Sequence, residues 1–163
     1  MSKTTITPEI EKLLKGNNFA SFATLMKDGS PQVSITWIDY DGTDILVNTA
    51  EGRLKTNNAW RDSRVAIVVS EEGNPYNSVN IRGKVVEYDT DEADEHIDKL
   101  AKQYFGLDKY PRQSPDEKRI ILKIKPEKVF HMKPLVRIIT ESREKNRSLE
   151  SKYLLKQQFP LTA

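Results

Sequence analysis

Polar and apolar residues alternate with a period of two through much of this chain, and three interruptions carry helical spacing instead. Thr7-Pro8-Glu9 opens the first helix: Thr7 as N-cap, Pro8 at the first helical position, Glu9 facing the dipole. Ile10, Leu13 and Leu14 form its apolar face, and Gly16 ends it. A strand over residues 19–26 turns at Lys27-Asp28-Gly29-Ser30 into a second strand over 31–40. There Val33, Ile35 and Trp37 share one face, and Gln32, Ser34 and Thr36 the other. Asp41-Gly42 turns the chain again into a strand over 44–49, which predicts a three-strand antiparallel meander.

A short helix is expected over residues 53–62, then a buried strand over 64–70. Glu72-Gly73-Asn74-Pro75 reads as a loop before a long strand over 77–89. Ala93, Ile97, Leu100, Ala101, Tyr104 and Phe105 fall at helical spacing, so a third helix starts near Thr90-Asp91-Glu92. After a loop over 106–117, strands over 118–125 and 128–132 are separated by Pro126-Glu127. Six or seven short strands with small flanking helices, joined mostly by hairpins, predict an antiparallel β-barrel of the α+β class.

With 163 residues, 37% hydrophobic and 31% charged, one globular domain with a core of its own is expected. No apolar run reaches the ~20 residues of a membrane span, and the N-terminus lacks a signal-peptide apolar region, so the expected location is the cytoplasm. The absence of cysteine excludes disulfides, thiolate nucleophiles and cysteine–zinc or iron–sulfur sites. Two histidines supply a metal cage poorly, so no metal is expected.

The net charge of +2 is unevenly spread. Residues 133–163 carry seven Lys/Arg against three acids, leaving 19 basic and 21 acidic groups in residues 1–132. The organisation expected is a barrel over 1–132 and a basic extension over 133–163. Trp37, Trp60, Tyr76 and Tyr104 are scattered over different elements rather than forming a stacking platform, which argues against nucleic acid.

Arg53 and Lys55 stand in the first turn of the second helix, where free backbone N–H groups and the dipole favour an anion. They are either a solvated face or a grip on a phosphate. The polar stripe Gln32, Ser34, Thr36 is likewise either solvent-facing or the wall of a polar ligand site. His96, in a helix rich in carboxylates, reads as a solvated histidine, and His131 as structural. Asp39-Tyr40-Asp41-Gly42 is a hairpin turn rather than a calcium loop, because its glycine arrives two positions too early. No Gly-x-Ser-x-Gly, Walker or Gly-x-Gly-x-x-Gly motif occurs, so catalytic residues are not assigned.

In order along the chain, Phe22-Ala23-Thr24-Leu25, Asp28-Gly29-Ser30-Pro31-Gln32-Val33-Ser34 and Ile45-Leu46-Val47-Asn48-Thr49-Ala50 precede Gly52-Arg53-Leu54-Lys55-Thr56-Asn57-Asn58. Asn74-Pro75-Tyr76, Ile81-Arg82-Gly83-Lys84-Val85 and the 104–112 loop follow. This series resembles the split-barrel flavin and deazaflavin oxidoreductases related to pyridoxamine 5′-phosphate oxidase, most of all the branch that uses coenzyme F420. The resemblance covers most of residues 8–132. It implies an antiparallel split barrel and an F420-dependent oxidoreductase transferring hydride to a small unsaturated substrate. FMN-dependent oxidation or flavin reduction is the alternative, and a non-enzymatic flavin- or F420-binding module a third reading.

It further implies that Arg53 and Lys55, with Asn58 behind them, hold the cofactor phosphate. Gln32, Ser34 and Thr36 would run beside the ring and ribityl chain, and Thr49 and Ala50 would meet the ring edge. Tyr76 would reach across from a second subunit, making a homodimer with composite sites. Tyr110 is a candidate proton donor, on a loop able to close over the pocket.

Overall fold

The structure, a computed structural model, describes residues 5–112, 114 and 116–133. Seven strands and three helices follow one another as α1 (Pro8–Lys15), β1 (Ala20–Leu25), β2 (Pro31–Thr36), β3 (Asp39–Tyr40), β4 (Ile45–Ala50) and α2 (Leu54–Arg61), then β5 (Arg64–Glu71), β6 (Asn74–Asp89), α3 (Ala93–Phe105) and β7 (Arg119–Met132). All strand pairs are antiparallel, in the order β2-β1-β5-β6-β7-β4-β3, giving the expected α+β split barrel. The basic extension lies outside the described residues apart from Lys133.

The meander expected over residues 19–49 does not form as one. Its middle strand breaks at Trp37 and Ile38: β2 pairs only with β1, while β3 pairs with β4 at the far edge of the sheet. Two residues therefore join the sheet's two edges, and this bend curls the sheet. Tyr104 pins it, its hydroxyl donating to Asn18 O at 2.7 Å and accepting from Ile38 N at 3.3 Å. Ile38 is fully buried, because the bend turns it into the core.

The two strands expected around Pro126-Glu127 are one strand, β7, whose register against β6 shifts at Arg82/Gly83. A proline can sit in a strand where the ladder is irregular. The close approach requires glycine opposite: a Cβ on Gly83 would lie 2.4 Å from the Lys125 carbonyl oxygen. Phe22, Val47, Ile67, Val79, Leu122 and Ile124 fill the barrel, and Leu13 and Leu14 of α1 close one end. Among the described residues, no helix is long and apolar enough to cross a membrane.

β2 presents its faces the opposite way to a usual barrel strand. Val33 and Ile35 are 58% and 64% exposed, while Gln32, Ser34 and Thr36 turn inward. Cross-strand register places Ile35, Ser21, Val68, Asn80 and Phe130 in one row across the outside of the sheet. Val68 and Phe130 are exposed as well, so this outer face is largely apolar.

Candidate functional site

The chain leaves β4 through Glu51-Gly52, where Gly52 adopts φ +78°, a conformation natural to glycine. The turn delivers Arg53 as N-cap of α2, one place before the first turn expected from sequence. Arg53 makes no side-chain cap, leaving its guanidinium free to pair with Glu117. The first turn of α2 holds no acid, so its dipole is not offset there. Thr56 ties the helix start down by donating to Ala50 O at 2.8 Å.

Arg119, the first residue of β7, completes the cluster. Pairing with Ala50 buries its side chain to 2% exposure on the α3 side of the sheet. Asn48 Oδ1 accepts from Arg119 Nε at 2.9 Å and also from Nη2, and Glu117 takes Nη1 at 3.3 Å. The guanidinium also lies 5.3 Å from the centre of the Tyr110 ring. Arg53, Lys55 and Arg119 line one cavity of about 120 Å³ with Thr36, Trp37, Asn48 and Tyr110; Ile35 and Ile97 complete its wall. Trp37 is stacked on Tyr104 at 5.3 Å and meets Tyr110 edge-on at 5.6 Å, giving the cavity an aromatic side.

The electrostatics are lopsided. Burial pushes the Lys55 ammonium below its usual value of 10.5, and Arg53 and Arg119 push it the same way. Burial and Arg53 likewise depress Arg119, with Glu117 opposing. Burial would raise Glu117, but its bonds to Arg53 and the charge of Arg119 hold it below 4.5. No carboxylate among the described residues pairs with Lys55. Three clustered cations facing one carboxylate leave positive charge that an anion could neutralise.

The residues expected to form the site are only partly brought together. Arg53, Lys55 and Thr36 line the cavity. Gln32 does not; its Oε1 accepts from Thr24 Oγ1 at 3.0 Å, and Asn58 Nδ2 donates to that same Oγ1 at 3.1 Å. Asn58 is 1% exposed, and this chain of bonds ties α2 to β1. Ser34 Oγ is buried without a hydrogen-bond partner among the described residues. Thr49 lies 3.3 Å, Oγ1 to Oγ1, from Thr56, and the Ala50 carbonyl serves the α2 start. Tyr76 is 54% exposed on β6, where the register against β5 shifts and residues 75–77 lie outside the ladder.

Arg119, Asn48 and Glu117 are not among the residues expected at the site from sequence. The signal was present in Arg119, an arginine immediately before the apolar run Ile120-Ile121-Leu122, a position that strand pairing would bury. His96 is not solvated, as its acidic neighbours in sequence suggested. At 8% exposure it is packed by α3 against β4, with Nδ1 3.3 Å from Asn48 Nδ2 and Nε2 3.4 Å from Asp39 Oδ2. His131 is held at 2.9 Å from Asn77 Oδ1. Tyr110 lies at the cavity, its backbone N–H fixed by Asp98 at 2.8 Å.

The family described as pyridoxamine 5′-phosphate oxidase matches residues 6–133. Similar solved structures include one named F420 Reductase, 28% identical, with a TM-score of 0.65 over 74% of this chain and 94% of that one. HupZ of Group A Streptococcus is 20% identical, with a TM-score of 0.59 over 78% of this chain and 94% of that one. General Stress Protein 26 from Bacillus anthracis is 13% identical, with a TM-score of 0.57 over 77% and 92%. The last two likenesses establish the fold alone.

Proposed function

The chain belongs to the pyridoxamine 5′-phosphate oxidase family, and from that premise we propose that it is an oxidoreductase holding a ring cofactor by its ribityl phosphate. The observation that carries this reading is the charge excess of the Arg53, Lys55 and Arg119 cavity, with Lys55 half-buried and without an acidic partner among the described residues. Such an arrangement costs folding stability, and a phosphate offsets that cost. Coenzyme F420 is the cofactor we assign, supported by the likeness to the F420 Reductase structure. When bound it supplies hydride to a small unsaturated substrate.

The chain's own residues bind and orient. Arg53 and Lys55 take phosphate oxygens, Arg119 is fixed by Asn48 to meet the same anion, and Tyr110 with Trp37 limits water at the cavity's aromatic side. Of the residues expected beside the ring, Thr36 lies at the cavity, while Gln32, Ser34, Thr49 and Ala50 support the site from behind it.

FMN is the second reading, favoured by one observation. A net excess of two positive charges suits a dianionic phosphate monoester, and the phosphodiester of F420 carries a single charge. Separate titration of apoprotein with F420 and FMN tests the assignment. We expect F420 to bind at least tenfold tighter, ~1.4 kcal/mol. Equal affinity or a preference for FMN overturns F420; binding of neither overturns the phosphate reading.

The active unit we propose is a homodimer. Ile35 lines the cavity and also belongs to the exposed apolar row with Val68 and Phe130, so a second copy on that face would wall the site. Tyr76, exposed on β6, is the residue to cross over. A monomer by light scattering, with cofactor binding intact, overturns this. The site is placed wholly within residues 1–132, so truncation after Pro134 should leave affinity within a few-fold, and a large loss would show otherwise.

A further inference from the structure

Arg119 points into the cavity only because something holds it there. Its Nε and Nη2 both donate to one atom, Asn48 Oδ1. The orientation of the Asn48 amide is in turn fixed from its other end. Nδ2 donates to the Ala93 carbonyl at 2.7 Å and lies 3.3 Å from His96 Nδ1. That contact is favourable only if His96 Nδ1 is the acceptor, which puts the imidazole proton on Nε2, facing Asp39 Oδ2 at 3.4 Å. Asp39, His96, Asn48 and Arg119 thus form one buried polar line from β3 through α3 and β4 to the start of β7.

We propose that Asn48 and His96 are positioning residues for Arg119, and that anion affinity depends on His96 Nδ1 being unprotonated. This rests on the reading of the Arg53, Lys55 and Arg119 cavity as an anion site. A proton on Nδ1 sets two donors against each other. Asn48 is then either pushed away from His96 or turned over at the cost of its bond to the Ala93 carbonyl, and in both cases Oδ1 leaves the place where it aligned the Arg119 guanidinium. In this way a change at His96 becomes a change at Arg119.

The groups facing His96 act on its other nitrogen. Asp39 from β3 is nearest, with Lys99 of α3 bonded to the same carboxylate oxygen. Asp41, Asp89, Glu92 and Glu95 line the same pocket, with Lys123 from β7 paired to Asp89. A cationic imidazole would have counter-charges on the Nε2 side. Only the Nδ1 side, toward Asn48, loses by protonation.

Sulfate is the probe, because it stays a dianion over the whole range in which histidine changes charge. Its dissociation constant is measured for the full chain from about pH 8 to about pH 5, in wild type and in His96→Gln. Added positive charge alone would tighten sulfate binding as pH falls. Loss of Arg119 alignment weakens it, and we expect roughly a fivefold loss in wild type, within the range for one ordinary hydrogen bond, and none in His96→Gln. A flat or tightening wild-type profile, or an acid-side loss that persists in His96→Gln, overturns the proposal. Absence of sulfate binding at every pH overturns the anion site itself. Should His96→Gln not fold, nitrogen NMR of the wild-type imidazole decides: its titration midpoint must coincide with that of sulfate affinity, and two separate midpoints refute the coupling.

Discussion

Two polar pockets flank Asn48 on the α3 side of β4 and β7, and they differ in how their charges are matched. At one end Arg53, Lys55 and Arg119 share Glu117, and Lys55 has no acidic partner among the described residues. At the other, a cavity of about 450 Å³ gathers Asp39, Asp41, Asp89, Glu92 and Glu95, but its lysines are paired. Lys99 bonds Asp39, and Lys123 reaches Glu87 at 2.7 Å and Asp89 at 3.0 Å. The lysines shift in opposite directions. Hydrogen bonds to Glu87 and then Asp89 raise Lys123, whereas burial and its cationic neighbours lower Lys55. The Lys99–Asp39 and Lys123–Asp89 pairs stabilise the fold by themselves, although Asp41, Glu92 and Glu95 leave that pocket with an excess of acid. The cationic cluster is held against its own repulsion by the rest of the fold, and so is prepared for an anion.

The comparison breaks most easily at Arg119. Arg119→Met removes two charge-assisted donors from the cationic end and leaves Asn48 Oδ1 without its partner. Cofactor affinity should fall by about 3 kcal/mol, near 150-fold, as read by calorimetric titration. A loss under about fivefold would mean that Arg119 is only a buried strand residue.

At the acidic end, Asp39→Asn is a stability test. Burial would raise this carboxyl, but the His96 and Lys99 contacts outweigh it and hold it far below 3.8. A depressed carboxylate contributes stability above its unfolded value, lost as pH falls through the folded one. Lys99 is 62% exposed and can return to water, so removal should cost about 2 kcal/mol, less than a fully buried pair. Melting temperature should drop by roughly 4–8 °C at neutral pH. The gap to wild type should narrow below 3.8. A gap independent of pH would place the loss in packing rather than charge.

Lys55→Met sharpens the contrast because affinity and stability should move oppositely. Losing one charge-assisted bond should weaken cofactor binding by about 1.5 kcal/mol, roughly tenfold. Without cofactor the variant should melt slightly higher, by about 1–3 °C, since exposure screens much of the repulsion. A lysine lowered in the folded state is a penalty at pH below that lowered value. The penalty fades as pH rises toward 10.5, so the gain should fade with it. A variant that binds normally and melts lower would make Lys55 an ordinary structural residue.

How far the sequence revealed these pockets depended on where the partners lay along the chain. The helix start at Arg53 and Lys55 was visible, because a cap, a turn and a dipole are local features. So were the hairpins with Gly29 and Gly42. The strand break at Trp37 and Ile38 was not, because it is imposed by Tyr104, 66 residues away from Ile38. Nor was the burial of His96. Its neighbours on the helix are acidic, but its helix face is chosen by β4, which contributes Asn48 from 48 positions earlier. Arg119 joins Asn48 across 71 residues, and only the pairing of β4 with β7 brings them together.

Lys123 is the matched control for Lys55, and the smallest effect is expected there. Its ammonium is raised by Glu87 and Asp89, so its contribution to stability is full below 10.5 and lost as pH rises through the folded value. Glu87 is 58% exposed, and pairs in contact with water contribute little. Lys123→Met should therefore cost less than about 1 kcal/mol at neutral pH. The cost should vanish at pH well above 10.5. Cofactor affinity should stay within about twofold, because the lysine lies in the acidic pocket, beyond Asn48 from the cationic one. If affinity instead falls as far as in Lys55→Met, the two pockets act as a single electrostatic unit, and the division between a paired cluster and a receptive one is lost.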